Sequence, residues 1–334
     1  MKIKGLVYLS VLLTGTFLVS CEKDDQPVPL PAKGESTYEI VEMGEEYTDQ
    51  LFYDFETARV VHISQIVSWD MAFDASPNGF NVFVNGGSDN LVYKTNETDM
   101  TVVKSAPSIL SEDWEYDASC GLKDSTAIGD WTNGKGLSKG QVYIVKLNES
   151  NNPDNLQKIK MVSVTSTEYV MEYASLEEDI SHTITIPKDN DYNYAYFSFF
   201  EGGKVVKPEP KKDTWDIVFT RYRYIYHELD DFPYVVTGVL LNPYKTTGLA
   251  VDSTKKFTEV EGEWVLQQDY SNHRDVIGFE WKSYDIDKRV YTVHPEKSYV
   301  VKNRYDKYWK IHFMGFTNSQ GVKGSPSFEF QRVY

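Results

Sequence analysis

The sequence predicts an all-β protein of two tandem antiparallel domains behind an export leader, and three observations carry that expectation. First, the 334 residues include 24 Tyr, 17 Phe and 7 Trp, and most segments alternate apolar with polar residues at a period of two. Second, Val67-Ser68-Trp69-Asp70-Met71-Ala72-Phe73 returns as Asp213-Thr214-Trp215-Asp216-Ile217-Val218-Phe219, with the tryptophans 146 residues apart and the preceding pairs Val60-Val61 and Val205-Val206 offset by 145. That spacing is the length of an ordinary domain and exceeds a solenoid unit. Third, no segment after the leader approaches 18 apolar residues, and no amphipathic helix runs beyond about two turns.

Residues 1–20 read as the leader, because Lys2 and Lys4 give a basic start and Val7 to Val19 is an apolar run too short to span a membrane permanently. Leu18-Val19-Ser20-Cys21 resembles a bacterial lipobox, which makes Cys21 the lipidated first residue of the mature protein; an ordinary leader with an incidental Cys21 is the alternative. Residues 21–37 form a tether. Its Glu22-Lys23-Asp24-Asp25 cluster resembles the surface-export signals of Bacteroidetes lipoproteins, or is a solvated stretch, and Gln26-Pro27-Val28-Pro29-Leu30-Pro31 favours an extended spacer.

Strands are expected at 40–43, 50–55, 58–63, 69–74, 141–147, 157–164 and 167–173. The pattern stops at Ala174-Ser175-Leu176-Glu177-Glu178-Asp179, where charge takes over, and this places the boundary at 178. Domain 1 is then 38–178 and domain 2 is 179–334. Strands resume at 182–186, 194–200, 204–207, 215–227, 234–241, 289–294, 298–303, 307–315 and 326–333. In Thr220-Arg221-Tyr222-Arg223-Tyr224-Ile225-Tyr226-His227 the three tyrosines share one face. The later strands repeat in order, Gln141 to Lys146 answering Lys297 to Lys302. The long connections 104–140 and 252–280 are the expected ligand-binding segments.

Charge and motifs exclude several functions. The formal charge of −16 becomes −18 without Lys2 and Lys4, which disfavours nucleic acid and anionic lipid surfaces. With Cys21 lipidated, Cys120 is the remaining thiol and reads as a buried small side chain. No nucleophile elbow, phosphate loop, dinucleotide fingerprint or metal-spaced Cys pair occurs, so an enzyme is not expected. The Asp189-Asn190-Asp191 stretch lacks the later ligands of a calcium loop.

Tyr196-Phe197-Ser198-Phe199, Gly203-Lys204-Val205-Val206, Trp215 to Phe219, Arg221-Tyr222, Tyr308 to Phe313 and Phe328-Glu329-Phe330 together resemble the HmuY family. The resemblance covers roughly 181–334 well and 38–178 more loosely, as a degenerate first copy. It implies an outer-membrane, surface-exposed lipoprotein that captures haem for a TonB-dependent receptor, held to the membrane through its lipid. Family members ligate haem by His or Met from finger-like loops. Here the matching loop, 252–290, offers His273 and no Met, with Tyr284-Asp285-Ile286-Asp287 where a second ligand is expected. Single ligation by His273, help from His294 or His227, or a different flat or iron-bearing ligand all remain open. Tyr222, Tyr224, Tyr226 and Trp264 are the candidate aromatic contacts, against core packing as the alternative. The rival function is an accessory or scaffold subunit of an outer-membrane complex that binds no small molecule.

Overall fold

Each Trp-Asp block opens a central strand, Met71–Asp74 in one sheet and Ile217–Tyr226 in another, because its apolar residues alternate into buried positions on both faces. The computed structural model describes residues 34–134, 136–148 and 155–334. The leader, Cys21 and most of the tether lie outside the described residues.

Four large antiparallel sheets build two sandwiches. In the first, the strands Lys204–Val206, Tyr194–Ser198, Met71–Asp74 and Val82–Val84 face a five-stranded sheet running His182–Pro187, Glu168–Ser175, Leu156–Val164, Val142–Lys146 and Leu91–Lys94. Met71, Phe73, Tyr143, Ile159, Tyr169 and Phe197 fill the space between them. In the second, Phe232–Leu241, Ile217–Tyr226, Asp49–Asp54 and Arg59–Gln65 face Thr37–Ile40, Lys323–Arg332, Tyr308–Thr317, Ser298–Lys302 and Thr247–Ala250. Its core holds Tyr53, Phe219, Trp281, Phe313 and Phe328, with Trp281 stacked on Phe313 at 4.1 Å. A small hairpin, Lys282–Asp285 with Val290–Val293, makes a sheet of its own and packs on the second core through Tyr291 and Val293.

The sandwiches do not follow the division at 178. The hairpin of the first half, Asp49–Asp54 with Arg59–Gln65, pairs with Ile217–Phe219 of the second. The hairpin of the second half, Tyr194–Ser198 with Lys204–Val206, pairs with Met71–Asp74 of the first. The registers correspond, Tyr53 lying opposite Ile217 and Phe197 opposite Met71. One lobe is therefore the continuous stretch from about Asp70 to Val206, and the other joins the chain's two ends, Thr37–Gln65 and Ile217–Arg332. The physical reason lies at the charged stretch read as a linker: Leu176 to Ser181 is the turn of a hairpin in which His182 pairs with Tyr173. A strand that can fold back on its neighbour does so before it reaches for a distant one.

The repeated Asp explains why the motif recurs. Asp216 Oδ2 accepts from the backbone N–H of Phe55 at 2.9 Å, and Asp70 Oδ2 accepts from that of Phe199 at 2.8 Å. Each Asp thus fastens the end of the hairpin donated by the other half. An Asn then clamps the turn before each motif. Asn85 Nδ2 donates to the Ile66 and Trp69 carbonyls, both at 2.8 Å, and Asn242 Nδ2 donates to those of Lys212 and Trp215 at 2.8 and 2.7 Å.

Other expectations shift at the margins. The tether's end is part of the fold, since Gly34 N–H donates to Arg332 O and Thr37–Ile40 adds a strand beside Lys323–Arg332. Leu91–Lys94, Thr247–Ala250 and Lys282–Asp285 are strands that four-residue patterns did not announce. Trp114 and Trp131, in the long connection, are buried and donate to the carbonyls of Ser108 and Phe80. Cys120 is half-buried rather than fully covered.

Candidate functional site

Three hollows are candidates, and their walls separate them. Between the two four-stranded sheets lies a cavity of about 120 Å³, faced by Phe52, Val218, Tyr222 and Leu240 on one side and by Ala72, Phe83, Tyr194 and Tyr196 on the other. Two carboxyls line it. Burial pushes Asp117 up to about 7 although it accepts from the Val84 and Ala127 amides. Glu209 rises to about 7 for the same reason, while accepting from the Tyr196 hydroxyl and the Asn193 amide. The space is below the roughly 300–1,000 Å³ of an ordinary small-molecule site.

The second hollow, about 610 Å³, is a cleft lined by the outer strands of the two exchanged hairpins. Arg59–Gln65 and Lys204–Val206 are both edge strands. The pairing of Arg59–Gln65 slips by one residue, Phe52 opposing His62 and Tyr53 opposing Val60, so Val61 is an extra residue in a bulge. Bulges re-aim side chains, and the next residue here is a histidine that lines the cleft. Burial lowers the His62 pKa and outweighs the opposing effect of the nearby Pro208 carbonyl. Its Nε2 is buried without a partner. Burial favours the neutral ring, and a neutral imidazole is the form that ligates metals. Exposed apolar side chains surround it, Ile63 at 56%, Phe200 at 51% and Val67 at 38%. Lys204 and Lys207 add two cations. Lys204 is paired with Glu201 at 2.6 Å on an exposed surface, a contact worth at most about 1 kcal/mol.

The third hollow, about 430 Å³, takes Tyr222, Tyr224, Phe279, Tyr299, Asp275 and Lys297 into its wall. The expected tyrosine face is present: Tyr222, Tyr224 and Tyr226 all pack in one cluster with Phe279. Tyr222 is buried, and Tyr226 meets Phe279 without lining the cleft.

The other sequence candidates lie elsewhere. His273 is exposed, its amide donating to Ser271 Oγ, and it lines none of the three hollows. Trp264 packs beside Val251, Val260 and Val300 with the Lys255 ammonium over its ring at 4.9 Å. His227 sits at an exposed hairpin tip against Asp231, at 2.6 Å, and His294 bonds Ser283 at 3.1 Å. Cys21 lies outside the described residues. His62, Phe200 and Lys204 were missed. The signal available was the repeat itself: the residue after each Val-Val pair is His62 in one half and Lys207 in the other, and both line the same cleft.

Among the described residues no cluster of three or more His, Cys, Asp or Glu is placed to hold a metal ion, and no helix is long and apolar enough to cross a membrane. Fold and cleft together give an all-β protein with a histidine-bearing, partly apolar cleft. Residues 46–179 match the family model described as HmuY protein, the stretch that had read as the looser copy. No curated protein matches. Among solved structures, the apo HmuY analogue of Tannerella forsythia is 9% identical, covering 91% of this chain and 98% of its own at a TM-score of 0.27. Apo PinO from Porphyromonas gingivitis is 10% identical, covering 90% and 98% at 0.27. A Bacteroides vulgatus protein described as HmuY-like and heme binding is 12% identical, covering 90% and 91% at 0.25.

Proposed function

We propose that the chain is a surface lipoprotein, anchored at Cys21 to the outer membrane, that captures haem or a related flat iron-bearing molecule and passes it to a TonB-dependent receptor. The family match over residues 46–179 supports a haem-binding-type role. The observation that carries the reading is the cleft of the exchanged hairpins. Haem presents an apolar plane, an iron that takes a nitrogen donor, and two propionates. Ile63, Val67 and Phe200 suit the plane, the neutral His62 imidazole suits the iron once the ring turns outward, and Lys204 and Lys207 suit the propionates.

The test is a haemin titration of the protein beginning at residue 22. A saturable Soret shift at one equivalent is expected, weakened at least tenfold by His62→Ala and unchanged by His273→Ala. A flat titration would remove haem from the reading. It would leave the accessory-subunit alternative, which the exposed apolar side chains of Leu229, Phe232 and Tyr234 near one hairpin tip favour.

A further inference from the structure

The tyrosine cleft is built differently from the haem-sized one. Its aromatic wall is Tyr224 and Phe279, half-buried rings meeting edge to face at 4.9 Å. Two hydroxyls in its lining, Tyr222 Oη and Ser298 Oγ, are buried without hydrogen-bonding partners, and their residues are only 6% and 2% exposed. A buried polar group left unpaired costs about 1–3 kcal/mol, so strands of two different sheets bring two of them to one lining only where a water or a ligand group can satisfy them. Asp275 stands beside them and accepts through Oδ2 from Ser119 at 2.5 Å. Glu280 and Lys297 lie 3.7 Å apart in the same lining.

The demands on a ligand are specific. A purely apolar molecule would leave both hydroxyls unsatisfied. An anion would meet Asp275 and Glu280. A compact metal ion would make no use of the aromatic wall. A neutral ring with one apolar face and a rim of hydroxyls meets every requirement, and the hollow of about 430 Å³ has room for one or two such rings. We propose that this cleft is a binding site for a neutral saccharide. The ring stacks against Tyr224 and Phe279, its hydroxyls pair with Tyr222 and Ser298, and a vicinal diol donates to Asp275. The site is separate from His62 and stands whether or not haem binds.

Saturation-transfer NMR on the protein beginning at residue 22 tests it with glucose, galactose, N-acetylglucosamine, cellobiose and chitobiose as probes. At least one sugar should give saturable transfer, weakened tenfold or more by Tyr224→Ala and by Ser298→Ala and untouched by His62→Ala. Tyr226→Ala, which disturbs the same aromatic cluster without lining the cleft, should bind as the parent does and so separates lost contact from lost packing. No transfer from any of the five probes, or transfer indifferent to both Tyr224→Ala and Ser298→Ala, would overturn the proposal, as would binding abolished equally by Tyr226→Ala.

Discussion

Replacing Arg304 with Met should expose how the second lobe holds its donated hairpin. Arg304 Nη1 donates to Asp216 Oδ1 at 2.5 Å and Nη2 to Asp54 Oδ1 at 2.7 Å. The side chains are 4% exposed for Arg304 and Asp54 and 0% for Asp216. Even with this cation beside it, burial pushes Asp216 up to about 7. Met fills a similar volume and removes the charge, leaving two covered carboxylates facing each other. Breaking a buried pair from one side costs about 3–5 kcal/mol, and that is the loss expected in guanidinium unfolding at pH 8. The loss should shrink on acidification. The Asp216 carboxyl has a folded pKa above its unfolded one, so the folded state binds a proton the unfolded state has released, and stability falls as pH rises through that window. Each such proton contributes roughly 1.4 kcal/mol per pH unit. The triple change with Asp54→Asn and Asp216→Asn should recover part of the stability at pH 8. A loss under about 1 kcal/mol at pH 8, or one equal at pH 5.5 and 8, would refute the reasoning.

Glu209→Gln should remove a pH dependence rather than a bond, since Gln can keep the amide contacts of Glu209 Oε1 and donate to the Tyr196 oxygen. Glu209 is raised to about 7 by burial, so its ionisation costs the native protein stability as pH climbs from about 4.5 to 7; the variant should be more stable than the parent at pH 8 by up to about 3 kcal/mol and equal at pH 4. Thermal denaturation at the two pH values checks this. Gly87→Ala puts a Cβ 2.5 Å from the Arg221 carbonyl oxygen and 3.0 Å from Ile66 Cγ2, an overpacking expected to cost about 1–3 kcal/mol in chemical denaturation. Asp70→Ala should loosen the donated hairpin Tyr194–Val206, read as faster amide exchange at Phe199 with exchange at Phe55 unchanged.

Most strands were legible because their information is local. Alternation in Tyr222 to Tyr226, and the aromatic runs flanking Trp69 and Trp215, fix which face of each strand is buried. Partner choice is not local. Val60-Val61 reads the same whether its hairpin pairs with Met71–Asp74 or with Ile217–Phe219, and the recurring motif offers both partners with matching side chains. The turn at Leu176 to Ser181 decides it, and its charged residues look alike as a linker or as a hairpin loop. His62 was hidden for a related reason. Simple alternation lists it as one more strand residue, and only the bulge at Val61, set by pairing with Asp49–Asp54, turns it into a cleft-lining position.

The exchanged hairpins also explain where the two lobes are alike and where they differ. The groups that fasten them are the same twice over, Asp70 with Asp216 and Asn85 with Asn242, since any change there releases a strand pair. The next contacts differ. Asp70 is met by the neutral Ser198 hydroxyl and the Asn90 amide, whereas Asp216 is met by Arg304, itself shared with Asp54, and Asp54 occupies the hairpin position that Ser198 holds in the other lobe. One lobe therefore closes with neutral hydrogen bonds and the other with a buried ionic triad, whose strength depends on the protonation of Asp216. Divergence at the edge strands has a different consequence, because an edge residue can change without loosening a core. The cleft that places His62 on one strand and Lys204 and Lys207 near the other draws its chemistry from that freedom, and it exists only because the hairpins crossed over.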